Sequence, residues 1–260
     1  AANMTSTAKS LSSLGIRKSR LVDPALIFDH VWQRLATRHG GEDYLTFPKE
    51  IIWLNGAPGA GKSTNTGFVQ HERSITADPV VVSELLSTPQ MQKLKAEGLL
   101  VDDAEVTVRL FEELMNPKYQ AGVVVDGFPR TLPQAAICRL LHDRLLALHR
   151  KHKGTELAVS RFVRPVFRIV VLWVDEHISV TRQVSRGKEA EAHNAKVRES
   201  GVGVPVEVRP TDKDESLAQS RYKTFTEKTY EALKSLGNLF VFNLINAVGA
   251  MEEVKKSIER

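Results

Sequence analysis

From Glu50 onward, apolar runs of strand length alternate with stretches whose apolar positions recur every three or four residues. The runs predict strands over Ile51–Asn55, Gly122–Asp126, Phe167–Val174 and Leu239–Leu244. The helical spacing predicts helices over Lys62–His71, Asp102–Met115, Leu132–Lys151, His177–Arg186, Asp214–Leu236 and Ala250–Glu259. Ile169, Val170, Val171, Leu172, Trp173 and Val174 follow one another without a polar break. A strand of that kind is buried on both faces, as in a parallel sheet covered by helices, so the expected class is α/β. Gly187 to Asp212 is polar and punctuated by Gly and Pro; a loop is expected there, and loops of that length are functional lids or disordered segments.

A separate helical pattern precedes the sheet. Asp23 is a suitable N-cap and Pro24 a suitable first residue. Leu26, Ile27, Val31, Trp32 and Leu35 share one face, and Gly40 and Gly41 end the run. That face has to dock, either on the body of the chain or on a protein partner reached through residues 1–48. Residues 1–20 are rich in Ser, Thr and Ala, carry Lys9, Arg17, Lys18 and Arg20, and have no acid before Asp23. This resembles the tail of an organellar transit region, with a flexible or partner-docked arm as the alternative. The expected division is 1–48 and 49–260.

Composition narrows the classes. Of 260 residues, 42% are hydrophobic and 26% charged, an ordinary globular balance. The apolar runs are too short to span a membrane. Cys138 is the single cysteine, so no internal disulfide forms and a four-cysteine zinc site is excluded. A reducing compartment fits, whether cytoplasm or the stroma or matrix of a chloroplast or mitochondrion. The net charge of +5 is dispersed, with no basic and aromatic stripe, and nucleic acid is not an expected partner.

The chemistry concentrates after the first predicted strand. Gly56, Gly61, Lys62 and Ser63 have the P-loop spacing, with Gly59, Ala60 and Thr64 in the same stretch. Glycines let successive N–H groups curl around one anion, Lys62 adds a mobile charge, and the Ser63 hydroxyl suits magnesium. The following helix directs its positive end at the same place. A second motif runs Asp126, Gly127, Phe128, Pro129, Arg130, Thr131. An acid ending a buried strand lies at the carboxyl edge of the sheet, where ligands bind. Asp126 is placed to hold magnesium, Gly127 allows close approach, and Arg130 offers a fork for phosphate. Gln134 follows, with an amide able to read a base edge.

The two motifs together resemble the adenylate kinase family of nucleoside monophosphate kinases, from about Ile51 to the C-terminus. The resemblance implies a P-loop NTPase-type sheet flanked by helices, with an acceptor-binding insertion near 73–102 and a lid near 187–212. It implies ATP with Mg2+ as donor and AMP as the favoured acceptor. It implies that Gly98 to Val101, including Leu100 and Val101, line the acceptor base, and that Arg182 flanks the donor adenine. Gly249 falls in the loop that meets the donor base. Lys62, Arg130, Arg186, Arg209 and Arg221 would surround the phosphoryl group in flight. Arg209 matches less closely, because the acidic pair beyond it is interrupted as Asp212, Lys213, Asp214.

One position departs from the family. Glu84, Leu85 and Leu86 fit its acceptor segment, but Ser87 stands where an arginine is expected, and Arg73 is the nearby candidate to replace it. Three readings stay open: an AMP kinase, a UMP/CMP-type kinase, and a kinase-derived subunit of weak or no activity with a structural or assembly role.

Overall fold

The computed structural model describes residues 23–97, 101–209, 214–249 and 251–259. Five strands form one sheet: β1 (Glu50–Gly56), β2 (Val80–Val81), β3 (Val123–Asp126), β4 (Val166–Trp173) and β5 (Val241–Asn246). Their order is β2-β3-β1-β4-β5, and every pairing is parallel. The fold is therefore α/β, as the apolar runs predict, with the P-loop NTPase-type sheet that the resemblance implies. β1 lies in the middle, and its residues 51 to 55 are all buried. The chain leaves β1 toward β2 and β3 on one side, then crosses to β4 and β5 on the other. That reversal opens a crevice at the carboxyl ends of β1 and its neighbours.

The predicted strands and helices occur with small shifts at their ends. The last strand starts later than expected, because Leu239 lies in the turn before it and Val241 begins the pairing with Arg168. Helix α1 (Pro24–Arg38) is capped by Asp23, whose carboxylate accepts from Ala25 N–H at 2.9 Å. It is followed by α2 (Lys62–Glu72), α3 (Val82–Leu85), α4 (Pro89–Ala96), α5 (Asp103–Leu114), α6 (Leu132–Lys151), α7 (Leu157–Ser160) and α8 (Glu176–Ser200). Next come α9 (Glu215–Thr224), α10 (Tyr230–Lys234) and α11 (Met251–Ile258). No helix among the described residues is long and apolar enough to cross a membrane.

Two expectations are corrected. The stretch after Arg186 is not a loop at first: α8 runs on to Ser200, and Gly201 ends it in the left-handed conformation at φ 67°. Ala190, Ala192 and Ala195 with interspersed Glu and Lys are strong helix formers, yet they give no apolar stripe, so periodicity missed them. The helix expected over Asp214–Leu236 is broken by a π-helical turn at Phe225–Thr229 between α9 and α10. Such turns insert a residue without altering the hydrophobic spacing enough to be read from sequence.

Helix α1 docks on the body of its own chain. Ile27, Phe28, Val31, Trp32 and Leu35 are buried in the same core as the sheet. Trp32 stacks on Phe28 and Phe47, at centroid distances of 5.5 and 5.4 Å, and Phe28 and Phe47 both meet Phe111 of α5 edge-on. The Trp32 indole donates to Glu42 at 2.8 Å, and Arg144 of α6 reaches the same carboxylate at 3.1 Å. The Arg144 guanidinium also lies over the Phe28 and Trp32 rings. Thus α1 is bolted to both α5 and α6. Trp32→Ala is expected to cost about 3 kcal/mol and to lower the melting temperature by roughly 6–12 °C. A melting temperature unchanged in calorimetry would contradict this docking.

Candidate active site

The P-loop turns at the carboxyl end of β1. Ala57 N–H donates to Leu172 O of β4 at 3.0 Å, and Ala60 N–H turns back to Ala57 O at 2.9 Å. Gly59 and Gly61 have φ of 75° and 81°, where a side chain is strained. Space is as restrictive as dihedral angle: a Cβ on Gly59 would lie 3.0 Å from Ser179 O and 3.1 Å from Arg182 Cβ. Gly61 begins α2 with no side-chain cap. The first N–H groups of α2, from Lys62 to Thr64, have no acceptor within the helix, which makes this end an anion site. Ser63 and Thr64 are exposed there.

Lys62 folds back across the crevice to Asp126, with Nζ 2.6 Å from Oδ1. Asp126 ends β3 beside Leu54 of β1, and Gly127 N–H donates to Leu54 O at 2.9 Å. Gly127 has φ 97°, and a Cβ there would come within 2.7 Å of the Arg130 guanidinium, so glycine is what lets that side chain fold inward. Asn55 of β1 donates to Pro129 O at 3.1 Å and ties the two strand ends together across the turn.

Cations gather around this pair. Burial pushes the Lys62 ammonium down to about 8; Asp126 opposes the shift, while Arg130 and Arg221 add to it. Burial likewise lowers Arg130, with Asp126 opposing and Arg209 adding. Lys62 therefore senses Arg130 and Arg221, Arg130 senses Arg209, and Asp126 acts on both Lys62 and Arg130. Such clustering of like charge stores a demand for anions.

Arg182 has a different position. It donates to Gly59 O at 3.2 Å, Ala247 O at 2.9 Å and Val248 O at 2.9 Å, joining the P-loop to the loop that contains Gly249. Glu253 packs against Gly249, where any Cβ would collide with it. Arg186 lies one turn beyond Arg182 on the exposed side of α8. Ser179 and Gln183, which sequence reasoning missed, hold the loop from below: Ser179 Oγ donates to Pro58 O at 2.6 Å, and Gln183 Nε2 donates to Ser179 Oγ at 3.1 Å. Both are polar, buried and one turn apart, but nothing in their spacing marks them in a polar helix.

On the acceptor side Val101 is buried, whereas Gly98, Leu99 and Leu100 lie outside the described residues, as do Asp212 and Lys213. Gln134 is 2% exposed. Its Oε1 accepts from Arg130 N–H at 2.8 Å and its Nε2 donates to Asp103 Oδ1 at 2.9 Å. Thr229, in the π-helical turn, donates to Arg130 O at 3.1 Å. Arg73 does not fill the place left by Ser87. It is held by Glu50, Nε to Oε1 at 2.6 Å and Nη2 to Oε2 at 3.1 Å. Glu50 begins β1 while the P-loop follows its other end, about 20 Å away for six strand steps.

Asp126 and Ser63 supply one carboxylate and one hydroxyl. Magnesium that arrives on a nucleotide takes its remaining ligands from phosphates and water, so this donor set fits it. Among the described residues no group of three or more His, Cys, Asp or Glu could hold a metal by itself.

Fold and site define the class: a P-loop nucleotide-binding chain whose second motif follows strand β3. No family model matches the sequence. The chain is similar to proteins named adenylate kinase: 29% identical over 215 residues to that of Flavobacterium psychrophilum, covering 80% of this chain and 95% of the relative. The adenylate kinases of Brucella melitensis biotype 1 and Brucella abortus are each 28% identical over 215 residues, with the same coverage. The similarity to proteins of that name thus extends along four fifths of the chain.

Lys62 gives a titration signature. At pH 8 the free side chain is about half protonated; an anion beside it raises its pKa, so polyphosphate binding takes up as much as about half a proton per chain. Calorimetric titration of ATP at pH 8 in two buffers of different ionisation enthalpy should show this uptake, and Lys62→Met should abolish it. Equal heats in the two buffers for the unaltered chain would contradict the site.

Proposed function

We propose that the chain catalyses reversible phosphoryl transfer from ATP·Mg to a nucleoside monophosphate, AMP in preference, giving two ADP. The observation that carries this reading is the Lys62–Asp126 contact over an uncapped helix N-terminus and a glycine turn, with the charges of Arg130 and Arg221 acting on Lys62 and that of Arg209 on Arg130. Phosphoryl transfer requires positioning and charge neutralisation more than acid–base chemistry, and this arrangement supplies both.

The P-loop amides and the α2 N-terminus hold the donor's phosphates. Lys62 exchanges Asp126 for the terminal phosphoryl oxygens, which frees the Asp126 carboxylate; with Ser63 it would then hold magnesium brought by the nucleotide. When bound, magnesium neutralises charge on the donor phosphates and, with Ser63, fixes their position. Arg130 bridges the acceptor phosphate and the transferring group. Arg186, Arg209 and Arg221 complete the neutralisation from the α8 to α9 side. Arg182, fixed on Gly59 O and Ala247 O, supports the wall for the donor base along with Gly249.

The acceptor side favours AMP through Gln134, whose amide can pair with the ring and amino groups of adenine. The same core motifs serve UMP/CMP-type kinases, and a panel of monophosphates separates the two. A second reading rests on Arg73: with that side chain held at the far end of β1 and Ser87 in place of an arginine, the acceptor phosphate has one cation fewer. A kinase-derived subunit of low activity is that reading's consequence. The compartment is read only from residues 1–20, whose composition suits an organelle.

A coupled assay for ADP formed from ATP and AMP tests the function. Measurable turnover is expected, with Lys62→Ala and Arg130→Ala each reducing it by at least about a hundredfold. Absence of ADP from folded, ATP-binding protein would overturn the catalytic reading. Unaltered rates in either variant would overturn these roles.

A further inference from the structure

We infer that Asp103 is a specificity-determining positioning residue: by holding the Gln134 amide in one orientation, it makes the acceptor site select bases with an amino group beside an unprotonated ring nitrogen. The inference deepens the acceptor reading of the same site and rests on it.

A glutamine amide can be turned by 180° with little change in shape, which exchanges its donor and acceptor ends. At Gln134 both ends are fixed by groups that cannot reverse their roles. The Arg130 backbone N–H can only donate, so it requires Oε1, at 2.8 Å. The ionised Asp103 carboxylate can only accept, so it requires Nε2, at 2.9 Å. Thr131 Oγ donates to the same Asp103 oxygen at 2.7 Å while accepting Gln134 N–H at 3.2 Å. Asp103 is itself kept in place from two sides. Asp102, not Asp103, caps α5, accepting Ala104 N–H at 3.0 Å, so the Asp103 carboxylate is not needed for the helix.

The amide still has one N–H and one oxygen lone pair beyond these bonds. In this orientation they offer a donor to a ring nitrogen and an acceptor to an exocyclic amino group, the edge of adenine. Hypoxanthine has the same shape but the reversed edge, with a ring N–H and a carbonyl oxygen. A freely turning amide would take either base; a locked one leaves unpaired polar groups facing hypoxanthine, and such mismatches discriminate strongly. Asp103 reaches no nucleotide in this account. It acts through Gln134.

The test is calorimetric binding of AMP, IMP and ATP to the full chain as the unaltered protein, Asp103→Ala and Asp103→Asn, with melting curves to establish folding. The unaltered protein should prefer AMP over IMP by at least about tenfold. Asp103→Ala, which leaves the Arg130 N–H alone to orient the amide, should narrow the preference by at least about threefold while ATP affinity moves less than about twofold. Asp103→Asn, whose amide oxygen can still accept from Gln134, should restore most of the preference even if the Ala variant folds poorly. A merely structural role would weaken AMP and IMP equally, and that result would overturn the inference. So would an AMP preference undiminished in Asp103→Ala, its loss in a folded Asp103→Asn, or an unaltered protein with no preference. An AMP preference that depends on Asp103 in a protein that forms no ADP would support this inference and overturn the phosphotransfer reading instead.

Discussion

Lys62 and Asp126 come from different parts of the chain, one opening a helix and the other closing a strand, and their side chains meet at 2.6 Å. The contact exists because β1 and β3 are neighbours in register, Leu54 opposite Asp126, and because the glycine turn brings the chain straight back over the sheet edge. Everything else in the site is arranged around that pair. Asn55 closes the gap between the strand ends, Gly127 makes room for Arg130, and Ser179 with Arg182 fixes the loop from the α8 side. Burial, with the charges of Arg130 and Arg221, works against the Lys62 ammonium more than Asp126 supports it.

The sheet and the phosphate end of the site were largely legible in the sequence, for physical reasons. Ile51 to Leu54 and Ile169 to Val174 are continuous apolar runs that only a doubly covered strand accommodates, and glycine spacing reports backbone geometry directly. What was hidden depended on tertiary placement. Asp103 reads as one of two acids at a helix start, and only the fold shows that Asp102 is the cap and Asp103 the partner of Gln134. Asn55 left a trace, a polar residue ending an apolar strand. Ser179 and Gln183 left none. The helical extension to Ser200 was hidden because its residues are polar all round, so helix propensity, not periodicity, was the informative signal there. Arg73 shows the opposite error: near in sequence to the acceptor segment, it is held by Glu50 at the far end of β1.

Helix α1 lies outside the stretch that resembles known kinases, yet it is continuous with the core. It contacts α5 and α6, the two helices that bring Asp103 and Gln134 to the acceptor side. An aromatic stack of Phe28, Trp32 and Phe47, closed by Arg144 and Glu42, thus braces the scaffold on which the acceptor amide is mounted. The donor side has its own brace in Arg182. The two halves of the site are thus supported by different elements.

The central claim is that one crevice holds a polyphosphate between two nucleotides. Titration with a bisubstrate inhibitor, two adenosines joined by a polyphosphate chain, tests it most directly. The account predicts one molecule bound per chain, more tightly than ATP alone, with ATP and AMP each competing. Binding no tighter than that of ATP, or competition by ATP but not by AMP, would contradict it.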